Sequence, residues 1–263
     1  MIICKRKTMI RNSFIDFEQK YVMVTGATSG IGRAISVLLS RQNARVLLLG
    51  RDEKRLSEVV NGLTGTGHQT LCQDLQDAAS VEVLLKERVK TIGRIYGLCH
   101  CAGIAETRPL ANAKANGVKA MFDINVVAGI EIARVVSRRD VTDEAGGSFL
   151  FISSVYGMVG KPGQIGYSAS KGAVAAFARS MAVELSRRNI RVNVLSPGLV
   201  KTNMTQKAFS LLSEEQVKAI EDAHPLGVGK PEDVARAAVF LLAPQSAWIT
   251  GTNLVVDGGY TAL

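Results

Sequence analysis

The feature that most constrains the fold is a regular alternation of short β-branched or leucine-rich runs with longer helical patterns. Strand signals fall near 21–25 (YVMVT), 45–49 (RVLLL), 69–73 (QTLCQ), 95–100 (IYGLCH), 148–153 (SFLFIS), 190–195 (IRVNVL) and 253–256 (NLVV). Helical patterns near 30–42, 53–62, 77–91, 114–138, 164–188 and 231–242 separate them. The strands are largely apolar throughout, so both faces must be covered, which predicts a parallel sheet between two helix layers. Right-handed crossovers then make the arrangement doubly wound. With 263 residues, 47% of them hydrophobic, the chain can bury one large α/β core. No repeat, low-complexity tract or linker divides it, so residues 20–263 are expected to form a single domain.

Residues 1–19 stand as an N-terminal extension, either a disordered arm or a stretch preceding a start at Met9. Lys5, Arg6, Lys7 and Arg11 are followed by no apolar run of the secretory kind. No stretch reaches the ~18 apolar residues that span a bilayer. The expectation is a cytoplasmic protein with no membrane partner. The formal net charge is +9, but four of these charges lie in the first eleven residues, leaving +5 for the remainder. There the bases alternate with acids such as Asp52, Glu53, Glu58, Glu82, Glu87, Glu232 and Asp233, and no basic run is interleaved with aromatics. That pattern describes a solvated surface and gives no support to a nucleic-acid partner. Cys4, Cys72, Cys99 and Cys101 form neither a C-x-x-C pair nor a disulfide framework, and Cys99-His100-Cys101 has no second ligand cluster, so no metal site is expected.

Between the first strand and the first helix the chain reads Thr25-Gly26-Ala27-Thr28-Ser29-Gly30-Ile31-Gly32. A glycine-rich turn placed so brings backbone N–H groups and the positive end of a helix dipole against phosphates. Strand before and helix after raise this from a plain tight turn to a dinucleotide cradle on a Rossmann-type sheet. At the end of the second strand, where a carboxylate would bond the ribose of NAD, the chain has Leu49-Gly50-Arg51-Asp52. Arg51 suits a 2′-phosphate, and Asp52 suits the N-cap of the next helix. NADP is therefore expected rather than NAD. Asp74, past the third strand, is either an adenine partner or a turn residue.

Tyr167-Ser168-Ala169-Ser170-Lys171 puts Tyr167 and Lys171 one helical turn apart on one face. A tyrosine at pKa about 10 is a poor proton donor or acceptor near neutrality. One cation about 4 Å away, at an effective dielectric near 20, could supply most of the roughly 4 kcal/mol needed to shift it by three units. Taken alone, the pair reads first as an exposed helix pair. Two further residues join it: Ser154 at the end of the fifth strand, with Ser153 as the alternative, and Asn125, an awkward residue mid-helix unless its amide bonds something specific. Residues 196–230 break the rhythm with Pro197-Gly198, a polar amphipathic segment from Leu211 to Ala223, His224-Pro225 and Gly227-Val228-Gly229. This excursion reads either as a substrate cover or as surface helix with loops.

These motifs together resemble the short-chain dehydrogenase/reductase family, from about residue 20 to the C-terminus. The resemblance implies that Tyr167 is the general acid/base, that Lys171 binds the nicotinamide ribose, that Ser154 polarises the carbonyl and that Asn125 holds a water in a proton relay. It places Gly26, Thr28, Ser29, Gly30, Ile31, Gly32, Arg51, Asp74, Ala102, Gly103, Tyr167, Lys171, Pro197, Gly198 and Thr202 at the cofactor, Thr202 against its carboxamide. Ile249-Thr250-Gly251 with Asp257-Gly258-Gly259 is similar to 3-oxoacyl carrier-protein reductases, which implies a homotetramer or homodimer. One departure stands out: His100-Cys101 occupies the place of the family's Asn-Asn, and His100 is expected to fill the asparagine's structural role.

The expected activity is NADPH-dependent reduction of a ketone to a secondary alcohol, the small-molecule carbonyl substrate being free or carrier-protein-bound. The alternatives are an NAD(P)-dependent alcohol dehydrogenase acting on a steroid, sugar or small secondary alcohol, and a cofactor-sensing protein without catalysis. Arg138, Arg139, Arg187 and Arg188 could steer an acidic carrier, although Asp140, Asp143 and Glu144 beside the first pair favour solvated helix ends.

Overall fold

The structure, a computed structural model, describes residues 14–77, 80–210 and 212–262. Among the described residues, one parallel sheet is built from β1 (Tyr21–Thr25), β2 (Arg45–Gly50), β3 (Gln69–Cys72), β4 (Ile95–His100), β5 (Gly147–Ile152), β6 (Ile190–Pro197) and β7 (Asn253–Val256). Their order is β3-β2-β1-β4-β5-β6-β7. The order reverses between β1 and β4, and a parallel α/β sheet binds its ligands at such a switch point, beyond the strand carboxyl ends. Thr25 ends β1 there, paired with Leu49 of β2 and His100 of β4.

Side-chain alternation divides the core into two halves. Met23, Leu47, Leu49, Leu98, Phe149 and Phe151 face α3 (Ser80–Ile92), α5 (Ala128–Val136) and α6 (Ile165–Leu185). Val22, Val24, Val46, Leu48, Leu150 and Ile152 face α1 (Gly30–Arg41), α2 (Glu53–Asn61) and α9 (Pro231–Leu242). A one-residue slip would exchange the two sets, and each large side chain is worth about 1.5–3 kcal/mol when buried, so the register is strongly specified. Arg191, buried on β6, donates to the carbonyls of Leu241, Ala243 and Ile249, which neutralises the negative end of α9.

Several expected elements differ in detail. The helical pattern over 114–138 is α4 (Ala115–Phe122) and α5 joined through a π-helical turn, Asp123–Val127. The pattern over 77–91 begins its helix at Ser80, after a 3₁₀ turn at Leu75–Asp77, with residues 78 and 79 outside the described residues. The excursion over 196–230 carries α7 (Asn203–Phe209), which has no separate signal in the sequence, and α8 (Glu214–Asp222), started by a capping box at Ser213 and Gln216; Leu211 lies outside the described residues. The proposed extension divides. Residues 1–13, with Cys4 and Met9, lie outside the described residues, whereas Phe17 is fully buried and its N–H bonds the Gln42 carbonyl. Residues 15–19 therefore pack against the α1–β2 junction.

Candidate active site

The β1–α1 turn takes its shape from two glycines at positive φ, Gly26 at +62° and Gly30 at +50°. A Cβ on Gly26 would lie 2.8 Å from the Ala102 nitrogen, so the cradle rests directly on the chain leaving β4. The first turn of α1 holds no acid, and its N-cap, Ser29, makes no side-chain cap. Among the described residues no side chain caps this helix start, the arrangement that receives an anion. The resulting cleft, about 250 Å³, is lined by Gly26, Thr28, Ser29, Gly30, Ile31, Gly32, Ala102, Gly103, Tyr167, Lys171 and Thr202 from the expected set, and also by Cys101, Ile152 and Asn203. An extended anionic ligand fits this lining: a positive helix end, glycines that admit a close backbone, and one buried cation.

The remaining expected cofactor residues do not line the cleft. Arg51 is exposed directly after β2, whose last residue, Gly50, packs against Thr28. Asp52 caps α2 by accepting the Arg55 N–H at 3.0 Å. Asp74 accepts the Gln76 N–H at 2.9 Å, the behaviour of a turn residue. Pro197 ends β6, and Gly198 lies so close to Asp257 that a Cβ would sit 2.8 Å from the Asp257 Cα.

Tyr167 and Lys171 share one face of α6, the ammonium 5.7 Å from the centre of the phenol ring. Lys171 Nζ donates to the Ile152 carbonyl at 2.8 Å. Ser153 turns away and donates to the Lys171 carbonyl at 2.7 Å, which leaves Ser154 as the serine beside the phenol. One expectation is corrected here. Burial pushes the Tyr167 phenol above its ordinary value and the Ser154 hydroxyl pulls it back only in part, while the ammonium lies over the ring and is bonded to the Ile152 carbonyl. Burial also lowers Lys171 to about 8, opposed by Cys101. The phenol therefore rests as a neutral acid, and the lysine is cationic below about pH 8.

Asn125 sits in the π-helical turn, fully engaged. Its Oδ1 accepts the Ile104 N–H at 2.8 Å, and its Nδ2 donates to the Ile104 carbonyl at 2.9 Å and to Ser170 Oγ at 3.0 Å. π-turns open a helix at one residue, and here the opening ties the 101–104 segment to α6. Gly103 lies between: a Cβ there would be 3.0 Å from Asn125 Oδ1 and 3.4 Å from Lys171 Nζ. An aromatic stack unforeseen from the sequence borders the site, Tyr156 against Tyr260 at 6.3 Å and Tyr260 on His224 at 4.8 Å. It joins the 196–230 excursion to the C-terminal segment and to the turn after Ser154.

His100 fills a structural place. Thr25 Oγ1 accepts the Ala102 N–H at 3.1 Å and shares a second hydrogen bond with His100 Nδ1 at 3.0 Å, which ties the ring to the β1 end and the chain leaving β4. Nε2 is buried without a hydrogen-bond partner among the described residues; the Ile124 carbonyl approaches outside bonding geometry. Burial, and next the Lys171 charge, lower His100 to about 4. Between that value and 6.5 the unfolded chain binds a proton that the fold refuses, so stability rises with pH across this window and is lost as pH falls through it. At about 1.36 kcal/mol per unit this is a loss of about 3 kcal/mol between pH 6.5 and 4. His100→Asn is expected to remove this part of the acid limb, checked by denaturant unfolding at both pH values; an unchanged pH dependence would refute the assignment.

The chain matches the family model described as enoyl-(acyl carrier protein) reductase over residues 26–261. It is 36% identical to carbonyl reductase family member 4 of Danio rerio over 245 residues, 93% of this chain and 99% of that protein. It belongs to the short-chain dehydrogenase/reductase family. The 3-oxoacyl-[acyl-carrier-protein] reductase FabG of Thermotoga maritima is 33% identical over 246 residues, 92% of this chain and 98% of that one. The solved short-chain type dehydrogenase/reductase from Mycobacterium ulcerans superposes with a TM-score of 0.88 at 27% identity, covering 94% of this chain and 92% of that chain. As a short-chain dehydrogenase/reductase the protein is an oxidoreductase that depends on a nicotinamide cofactor. No helix among the described residues is long and apolar enough to cross a membrane, and no cluster of metal-binding side chains occurs among them.

Proposed function

We propose that the protein reduces the ketone of a 3-oxoacyl thioester, free or carried by an acidic carrier protein, to the secondary alcohol, with NADPH as the reductant. The observation that carries this reading is the placing of Tyr167 and Lys171 in the same cleft as the glycine cradle, the ammonium 5.7 Å from the centre of the phenol ring and Ser154 beside the phenol. Bound in the cleft, the cofactor supplies a hydride. Tyr167 delivers the proton to the oxygen that becomes the alcohol, and Ser154, beside the phenol, orients and polarises that oxygen. Lys171 holds positive charge under the reacting centre and, on the Ile152 carbonyl, fixes the depth of the pocket. Asn125 positions the 101–104 segment and α6 relative to each other. Gly26, Thr28, Ser29, Gly30, Ile31, Gly32, Ala102 and Gly103 receive the dinucleotide backbone, and Thr202 its nicotinamide end.

Arg51 is the proposed reader of the 2′-phosphate. Its place directly after the strand that abuts Thr28, with Asp52 already committed to capping α2, supports this. The arginines considered for carrier steering do not suit that task. Arg138 and Arg139 precede β5 and Arg187 and Arg188 precede β6, at the amino-terminal ends of the strands and so opposite the cleft, and Arg138 pairs with Asp140 at 3.1 Å. A homotetramer is the proposed assembly, supported by apolar side chains left exposed on two sides, Val127, Ile130 and Val183 on one, Phe240 and Trp248 on the other.

The test uses purified protein, a 3-oxoacyl thioester and either NADPH or NADH. NADPH oxidation should depend on the thioester, and Arg51→Asp should reverse the preference with a swing of about a hundredfold, since charge-assisted bonds are worth about 1.5–3 kcal/mol. Dinucleotide binding without turnover on this or any other ketone would contradict the assignment.

A further inference from the structure

Cys99 and Cys101 face one another across 3.5 Å between their sulfurs, both as free thiols. They differ in access and in freedom to move. Cys99 is fully buried and held in β4, paired with Val24 on one side and Leu150 on the other. Cys101 lies one residue beyond the strand, half-exposed, and lines the cleft with Gly26, Gly32 and Lys171. A Cβ on Gly32 would lie 3.3 Å from Cys101 Cβ, and one on Gly26 would lie 3.1 Å from the Cys101 carbonyl carbon. The cradle is thus packed on Cys101 from two sides.

We propose that Cys99 and Cys101 form an oxidation site, in which a small-molecule disulfide entering the cleft converts the pair to an intrachain disulfide that distorts the dinucleotide cradle. Cys101, the accessible sulfur, attacks as its thiolate, forms a mixed disulfide and expels one thiolate, which takes a proton from water. Cys99 then gives up its proton, its sulfur attacks Cys101 Sγ, and the second thiolate leaves with that proton. Two protein thiols are oxidised and one small disulfide is reduced to two thiols. Burial pushes the Cys99 thiol well above its ordinary value, which assigns it the second, resolving step. A disulfide bond is about 2.05 Å long, so the sulfurs must close by about 1.5 Å. β4 is anchored, so Cys101 supplies most of that movement and carries the 101–102 backbone with it.

The distortion rests on the cleft being the dinucleotide site; the cross-link does not. The protein, with Cys4 and Cys72 replaced by serine, is treated with oxidised glutathione. The tryptic peptide spanning residues 95–114 should lose the mass of two hydrogens, more slowly when NADPH is present. Dinucleotide affinity should fall by about tenfold to a hundredfold and return on addition of dithiothreitol, displacements near 1 Å having effects of this size. Cys99→Ser and Cys99→Ala should stop at a stable glutathione adduct on Cys101. No mass loss, or no adduct in the Cys99 variants, overturns the proposal, as does a cross-linked protein that binds as the reduced one does. If the reduced protein itself fails to bind NADPH, the dinucleotide reading fails, while the mass result still decides the cross-link.

Discussion

Tyr167→Phe is expected to lower kcat by about 10²–10⁴-fold, the usual worth of a positioned general acid, while dinucleotide binding stays as in the wild type. The phenylalanine keeps the ring that Lys171 lies against and removes only the oxygen. Lys171 retains its bond to the Ile152 carbonyl, and Ser153 retains its bond to the Lys171 backbone, so the pocket keeps its shape. A loss confined to kcat marks an interaction made in the transition state alone. A rise in the dinucleotide dissociation constant of similar size would instead make Tyr167 part of the binding surface.

Gly32→Ala is expected to damage the cradle itself. A Cβ at residue 32 would enter the van der Waals envelope of the Gly26 carbonyl oxygen and come within 2.9 Å of its carbon, both of them backbone atoms with little room to yield. Overpacking of this kind costs about 1–3 kcal/mol. Part of it should appear as a lower denaturant midpoint and part as weaker dinucleotide binding, because the strained atoms are those that receive the phosphates. Gly172→Ala is the matched control. It lies inside α6, where its Cβ would meet only the Gly157 carbonyl at 3.5 Å, and alanine there should be neutral or stabilising by up to about 1 kcal/mol. Equal behaviour of the two variants would show that close approach at Gly32 does not shape the cradle.

Much of this could be read before any coordinates, for specific physical reasons. The strands announce themselves because each must be apolar on both faces, and β1, β4 and β7 fall at the expected residues. The cradle is legible because its glycines stand between a strand and a helix. What the sequence hides is set by tertiary packing. The π-helical turn at Asp123–Val127 has only one trace, an asparagine in mid-helix, and its cause is the bonding of Asn125 to Ile104 and Ser170 far along the chain. The choice of Ser154 over Ser153 depends on which hydroxyl meets the Lys171 carbonyl. The Tyr167 shift runs opposite to expectation because spacing shows that a cation is near but not that its amine is bonded to Ile152, nor how deeply the phenol is buried. Ile152 enters the site through its carbonyl, and no side-chain motif records that. Asn203 had a signal, its place next to Thr202 at the start of α7.

The central claim is that Tyr167 hands a proton to a ketone oxygen within a dinucleotide-loaded cleft. Its most direct measurement is a single turnover: wild-type and Tyr167→Phe proteins, each saturated with NADPH, are mixed rapidly with a 3-oxoacyl thioester while cofactor fluorescence is followed. A fast burst of cofactor oxidation with one alcohol formed per site is expected in the wild type, and no burst in a variant that still holds its cofactor. Bursts of equal rate in the two proteins would contradict that claim.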